Sequence, residues 1–231
     1  ARRGGLEVTL IEKALHRQAH TSLLRTQYRM HETIMNFSNQ QFYDGQLLAA
    51  PQVAQQTLLK DPETPVIFID TAGTDFQEQT QEAYQSRYNE GEFQILCEHL
   101  YALLEHCYTN EILPLPSIAL ISPYREQVMM MKKAVKEDVR LAGVPITINT
   151  IDGFQGQERD VVYISLVRSN AKTEIGFLKD YRRMNVAMTR ARQKLVIVGD
   201  SATIGNDDFY SSFLEYCEAF GTYRTAWEFM A

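Results

Sequence analysis

The sequence predicts an α/β fold, a mostly parallel sheet with helices on both faces, and three observations predict it. Short apolar runs recur at Val66 to Ile69, Ser117 to Ile121, Ile146 to Ile151, Val161 to Val167 and Leu195 to Val198. Runs of this length without polar alternation belong to strands buried on both sides. Helical patterns separate them: Phe93, Leu96, Cys97, Leu100, Leu103, Leu104 and Cys107 repeat at the spacing of one helix face. Strands that alternate with helices build parallel sheets through crossover connections. The chain has 231 residues, 45% of them hydrophobic and 23% charged, enough for a sizeable core in one domain over residues 1–231.

Taken in order, Leu6 to about Gln18 has a helical pattern, and Leu23-Leu24 begins a short strand. A helix is predicted over Glu32 to Tyr43, with Ile34, Phe37, Ser38 and Phe42 inward, ending at Asp44-Gly45. Residues 46–64 contain Gln and Pro and read as surface loop, while Thr71 to Arg87 is polar and reads as an exposed, mobile loop. Asn89, three residues before Glu92, predicts a capping box that opens the long helix. Ser122-Pro123 predicts a helix start, with Ser as cap and Pro in the first turn, running to Gly143. Arg182 to Arg192 reads as one helix, with Met184, Ala187, Met188, Ala191 and the following Leu195 forming a buried stripe. Arg183 and Arg190, seven residues apart, share another flank of it. A last helix covers Phe209 to Phe220.

Composition excludes several classes. No apolar run is long enough to span a membrane, and no apolar signal core follows the N-terminus. The missing initiator Met predicts a piece of a longer protein. Cys97, Cys107 and Cys217 are odd in number and lack CxxC spacing, which predicts buried reduced thiols in a cytoplasmic protein. The five His form no ligand pair with a third partner, so no metal site is expected. Net charge is −6, but residues 121–192 carry 13 Lys and Arg against 8 Asp and Glu. That local +5 on an acidic body suits a groove for a phosphate backbone.

Four segments carry chemistry. In Gln27-Tyr28-Arg29-Met30-His31, an aromatic beside an Arg can stack a base and reach a phosphate. Ser122-Pro123-Tyr124-Arg125-Glu126-Gln127 is a strand-to-helix turn, where unpaired N–H groups favour anions. Thr150 to Asp160 packs two glycines and many polar groups between two core strands; glycine admits close backbone approach, and Glu158 can accept bonds from sugar hydroxyls. The fourth is the Arg182–Arg192 segment, whose guanidiniums match phosphate oxygens. Ser122 to Tyr124, Asp152 to Asp160, Arg168 and Asp200 all fall at or past strand ends. Ligands gather at the C-terminal ends of strands in such sheets.

These strings, QYRMH, F-x-x-x-x-FY-x-G (Phe37 to Gly45), S-x-x-N-x-x-E (Ser86 to Glu92), SPY-x-x-Q, T-x-D-x-FQG-x-E-x-D and RR-x-NVA-x-TRAR, cover most of the chain. Together they resemble motifs IV to VI of superfamily 1 helicases, in the branch of the up-frameshift and immunoglobulin-mu-binding helicases. One departure is Glu32, where the family usually has Pro. The greater departure is that no GxxxxGK[ST] and no Asp-Glu pair after a strand occur. The resemblance therefore implies a RecA-like, P-loop NTPase-type three-layer fold, the second of two such domains. The first, with its Walker A and B segments, lies outside this chain.

The resemblance also implies roles. Arg29 and Arg190 would be arginine fingers on the γ-phosphate. Tyr28 would stack on adenine, and Glu158 beside Gly156 would bind the ribose. Pro123, Tyr124, Gln127, Thr150 and Arg168 would contact a single strand of DNA or RNA, with Asp152, Gln155 and Arg183 supporting. ATP and Mg²⁺ would be the cofactors, both needing the first domain, and the isolated chain would be inactive. Two other readings fit the residues: a non-catalytic helicase-like module binding nucleic acid or a partner, and a different P-loop-type nucleotide-binding regulator. The last predicts no convergence of Tyr28, Arg29 and Arg190.

Overall fold

The computed structural model describes residues 22–81 and 86–230; the helical pattern predicted at Leu6 to Gln18 lies outside them. A two-residue strand β1 (Thr26–Gln27) precedes helix α1 (Glu32–Phe42) and pairs in parallel with β2 (Leu48–Ala49), which leads into the short helix α2 (Pro51–Ala54). Strand β3 (Val66–Asp70) follows, then the antiparallel hairpin β4 (Gln79–Gln81) and β5 (Ser86–Tyr88). The rest alternates: α3 (Glu90–Thr109), β6 (Ile118–Ser122), α4 (Arg125–Glu137), β7 (Ile146–Thr150), β8 (Arg159–Ser165), α5 (Tyr181–Met188), β9 (Ala191–Gly199), α6 (Ser201–Ile204), α7 (Asp208–Phe220) and β10 (Thr222–Thr225).

Six strands form one parallel sheet in the order β10-β3-β9-β8-β6-β7. Its apolar runs divide between two cores. Leu195 and Ile197 of β9, with Val66 and Phe68 of β3, face Ile34, Phe37, Met184, Met188, Phe209 and Phe213. Val196 and Val198, with Ile67 and Ile69, face Leu96, Leu100, Leu104 and Met131. Helices therefore cover both faces, as predicted, and the long helix buries all seven of its predicted positions.

Several boundaries differ, each for a physical reason. Leu24 is exposed, and pairing begins only at Thr26. Residues 46–64 are not plain loop: Asn39 brackets Leu47 with two side-chain bonds (2.8 and 3.1 Å), and Leu47, Ala50, Val53 and Leu58 are buried. Asn89 caps α3 by accepting from Glu92 N (2.9 Å), yet Glu92 does not return the bond; Asn89 N donates instead to Gln127 Oε1 (2.8 Å). Helix α4 begins after Tyr124 as its cap and ends at Glu137, before a separate 3-10 turn. Helix α5 stops at Met188, because the Thr189 hydroxyl takes its last carbonyls and Ala191 enters the ladder opposite Arg159. Arg190 thus sits in a turn, not on a helix. Lys194 hides the start of β9 in the sequence: its ammonium is buried against Asp61 (2.9 Å) and Glu63 (3.2 Å).

Candidate functional site

A parallel sheet has two unlike edges, and the predicted site residues divide between them. At the N-terminal ends of β8 and β9, Arg29 Nε donates to Glu158 Oε2 at 2.6 Å and Arg29 Nη1 to Thr189 O at 3.1 Å. Arg192 lies 3.9 Å from Glu158 and 3.4 Å from Asp160. Arg190 donates to Val186 O (2.8 Å) and Gln157 O (3.2 Å). Burial, then the Arg29 charge beside it, lower the Arg190 pKa, while Glu158 opposes them. Three guanidiniums thus crowd the two carboxylates Glu158 and Asp160, an excess of fixed positive charge that an anion would relieve.

Local structure fixes this cluster. The Gln27 amide accepts from Arg29 N and Met30 N and donates to Met30 O, all at 2.8 Å. His31 N donates to Arg192 O (2.8 Å), and the Gln56 amide bridges Arg29 O and Arg192 O. His31 also caps α1: its Nδ1 accepts from Thr33 N at 3.0 Å, a role for the neutral ring. Burial lowers its pKa, with Glu32 opposing. Tyr28 stands exposed beside Arg29. Gly156 has φ +81°, and a side chain there would meet nothing within 4 Å, so its backbone is open to a ligand. Glu158 and Arg190 lie at the N-terminal edge, which corrects the expectation that the whole site follows the strands' C-terminal ends.

Pro123, Tyr124, Gln127, Thr150 and Arg168 do gather at the C-terminal edge, but three of them are buried. Gln127 is 0% exposed, its amide spent on Asn89 and on Ser165 Oγ (2.9 Å). Arg168 is 2% and Tyr124 3% exposed. Arg168 donates to Glu78 Oε2 (2.6 Å) and to the Tyr124 hydroxyl (3.4 Å). These side chains form a layer beneath the surface, not the strand contacts expected of them. Pro123 and Thr150 remain half-exposed.

The carboxylate that completes this layer was invisible in the sequence. Glu78 lies in the stretch expected to be a mobile loop, yet its side chain is 6% exposed. It also accepts from Ser169 N (3.1 Å) and Asn170 Nδ2 (3.2 Å) and pairs with Arg87 on β5. Val167, just before Arg168, has φ +73°, a strained value for a β-branched residue. The buried Glu92 carboxyl holds it there, accepting Val167 N at 2.9 Å on both oxygens.

Two segments run from one edge to the other. The loop after β7 starts at Thr150 and ends at Glu158; α5 starts beside Asp180 and ends just before Arg190. They are pinned twice. Arg183 meets Asp152 (3.4 Å) and Asp180 (3.3 Å) at the first turn of α5, and Arg190 meets Gln157 O past its last turn. Asp152, Gln155, Arg182 and Arg183 line a shallow groove of about 310 Å³ between them. Cys97, Cys107 and Cys217 are unpaired and buried. Among the described residues no cluster of His, Cys, Asp or Glu could hold a metal ion, and no helix is long and apolar enough to cross a membrane.

Residues 6–202 match the AAA domain family. DNA polymerase alpha-associated DNA helicase A of Saccharomyces cerevisiae is 41% identical over 92% of this chain, which covers 33% of that protein. DNA-binding protein SMUBP-2 of Rattus norvegicus is 36% identical over 98% of the chain, which covers 23% of it. The chain thus spans a third or less of the length of these relatives. A solved C-terminal domain of a possible DNA helicase from Lactobacillus covers 86% of the chain and is itself covered to 98%, at 13% identity and a TM-score of 0.43, too slight a likeness to build on. With most of its length matched, the chain belongs to the AAA-domain helicases of superfamily 1, in the branch of the up-frameshift and immunoglobulin-mu-binding type.

Proposed function

We propose that this chain is the second RecA-like motor domain of an ATP-dependent helicase or translocase, acting with a first domain that carries the phosphate-binding loop. The observation that carries the reading is the convergence of Arg29, Arg190 and Arg192 around Glu158, joined by the 150–158 loop and α5 to the opposite edge. Bound ATP with Mg²⁺ supplies a phosphoryl group that can pass to water. Arg29 and Arg190 stabilise its developing charge from across the cleft. Tyr28 stacks on the adenine, and Glu158 accepts from the ribose beside the open backbone at Gly156. The described residues offer no ligand cluster for Mg²⁺, so the first domain holds the ion.

The two pins give the motor its transmission. Helix α5 and the loop after β7 are gripped together at both ends, so a displacement imposed at Arg190 reaches Asp152 and Thr150 as rigid-body movement. The partner at that far edge is a single strand of DNA or RNA, and three buried thiols suit a reducing compartment, the cytoplasm. The test compares the intact protein with the isolated 231-residue chain. The intact protein should hydrolyse ATP faster with single strands present, and the chain alone should show negligible turnover. Robust hydrolysis by the chain alone, or none by the intact protein, would overturn the reading.

A further inference from the structure

Phe177 is 66% exposed, and none of the roles above uses it. A single apolar ring in water needs no explanation by itself, but this one is mounted. It sits on the 3-10 turn Gly176–Lys179, between Ile175 and Leu178, which are both buried. The Tyr210 hydroxyl donates to Leu178 O at 2.9 Å, fastening the turn from below. The Phe177 ring rests on the Tyr124 ring, centroids 5.7 Å apart, and Tyr124 is itself held by Arg168. Gly176 lies so close to this pair that an added Cβ would stand 2.0 Å from Arg168 Nη1 and 3.0 Å from the Tyr124 hydroxyl. Glycine is what lets the turn lie down on the buried layer and present the ring outward.

Beside the ring is an open groove of about 590 Å³, lined also by Lys179, Arg182 and Arg183, within the ~300–1,000 Å³ range of small-ligand sites. We propose that Phe177 is a stacking platform for one base of a single-stranded nucleic acid, with Lys179 and Arg182 taking the flanking phosphates. This rests on the reading of the chain as a helicase motor domain, and it says where that domain grips its strand. An aromatic face beside cations is the combination that binds single strands regardless of sequence. A docking surface for another protein domain would surround the ring with more apolar area, and no other exposed large apolar side chain lines this groove. The platform also resolves the edge's contradiction: Tyr124 and Arg168 are buried because they carry Phe177.

The test measures binding of fluorescein-labelled oligothymidylate, and of an abasic strand of equal length, to the intact protein by anisotropy over a salt series. Phe177→Ala should weaken oligothymidylate binding about ten-fold or more, with the salt slope unchanged. Phe177→Tyr should bind as the unaltered protein does, and the abasic strand should discriminate little between the variants. Lys179→Ala should instead reduce the salt slope by about one. Equal affinity of Phe177→Ala and unaltered protein overturns the platform while leaving the motor reading intact. So does a loss equally large on the abasic strand, which would make the ring a domain contact. If the unaltered protein neither binds strands nor is stimulated by them, the motor reading itself fails.

Discussion

Arg29 donates its Nε–H to Glu158 Oε2 at 2.6 Å, so two residues assigned to opposite parts of a nucleotide hold each other. Their side chains are 34% and 45% exposed, and an exposed pair is worth at most ~1 kcal/mol. A triphosphate displaces it at little cost, turning Arg29 to phosphate and freeing Glu158 for the ribose. The expected outcome is a preference of the intact protein for ATP over 2′-deoxy-ATP that Glu158→Ala removes. A bond to a charged group is worth ~1.5–3 kcal/mol, so the lost preference should be about ten-fold or more in KM. Thermal unfolding should barely shift. Equal use of both nucleotides by the unaltered protein would remove Glu158 from the ribose.

Arg190 makes a sharper case because its backbone bonds leave little freedom. Nε and Nη1 are committed to Val186 O and Gln157 O, which hold the guanidinium in place while its remaining N–H groups face the Arg29 side. Arg190→Ala should lower kcat about 10³-fold or more with KM for ATP nearly unchanged. Arg190→Lys should be nearly as poor, since an ammonium cannot keep two carbonyl bonds and reach an anion. Steady-state kinetics of the intact protein decide it; normal turnover in either variant would strip Arg190 of its role.

How far the sequence discloses this arrangement depends on whether a residue's partner lies nearby. Strands β3, β6 and β8 are legible because their residues are apolar on both faces, and α3 because its stripe repeats locally. Lys194 reads as surface until Asp61 and Glu63, over 130 residues earlier, neutralise it. Glu78 reads as loop until Arg168, 90 residues later, buries it. Strand β10 (Thr222–Thr225) is half-polar because it is an edge, so no apolar run announces it. The nucleotide residues were found by motif, yet their edge was misplaced, since the crossing of the 150–158 loop depends on strand direction in three dimensions.

The buried pair Arg168–Glu78 carries a stability prediction. Both side chains are below 10% exposed, and removing one partner strands the other charge in a poorly solvated site, at a cost of ~3–5 kcal/mol. Glu78→Ala should lower the urea midpoint accordingly and loosen the β4–β5 hairpin, read as faster amide exchange at Arg87. Combining Glu78→Gln with Arg168→Met should recover part of the loss, because no unpaired charge remains. A Glu78→Ala protein as stable as the original would show that Arg168 finds water or another acceptor.

Glu92 gives the protein a pH dependence of unusual sign. Burial pushes its carboxyl up to about 8, against the bonds from Ser165, Val167 and Leu166, and the charge of Asp200 adds to the rise. Between the ordinary Glu value and about 8, the folded protein therefore binds more protons here than the unfolded chain. Stability from this group is complete below ~4.3 and is lost as pH rises through about 8, with a slope approaching ~1.4 kcal/mol per pH unit. His31, with its lowered pKa, acts in the opposite direction below its ordinary value. Glu63 does so only below the carboxylate range: burial raises its pKa, but the His99 bond and the Lys194 ammonium more than offset that. Both are common to the protein and its Glu92→Gln variant, so the difference between the two isolates Glu92. Urea unfolding at pH 5.5 and 7.5 should show the unaltered protein losing stability relative to Glu92→Gln as pH rises. A difference that stays constant would mean that Glu92 is ionised in the fold, and that a carboxylate, not a carboxylic acid, holds Val167 in its strained turn beneath Arg168.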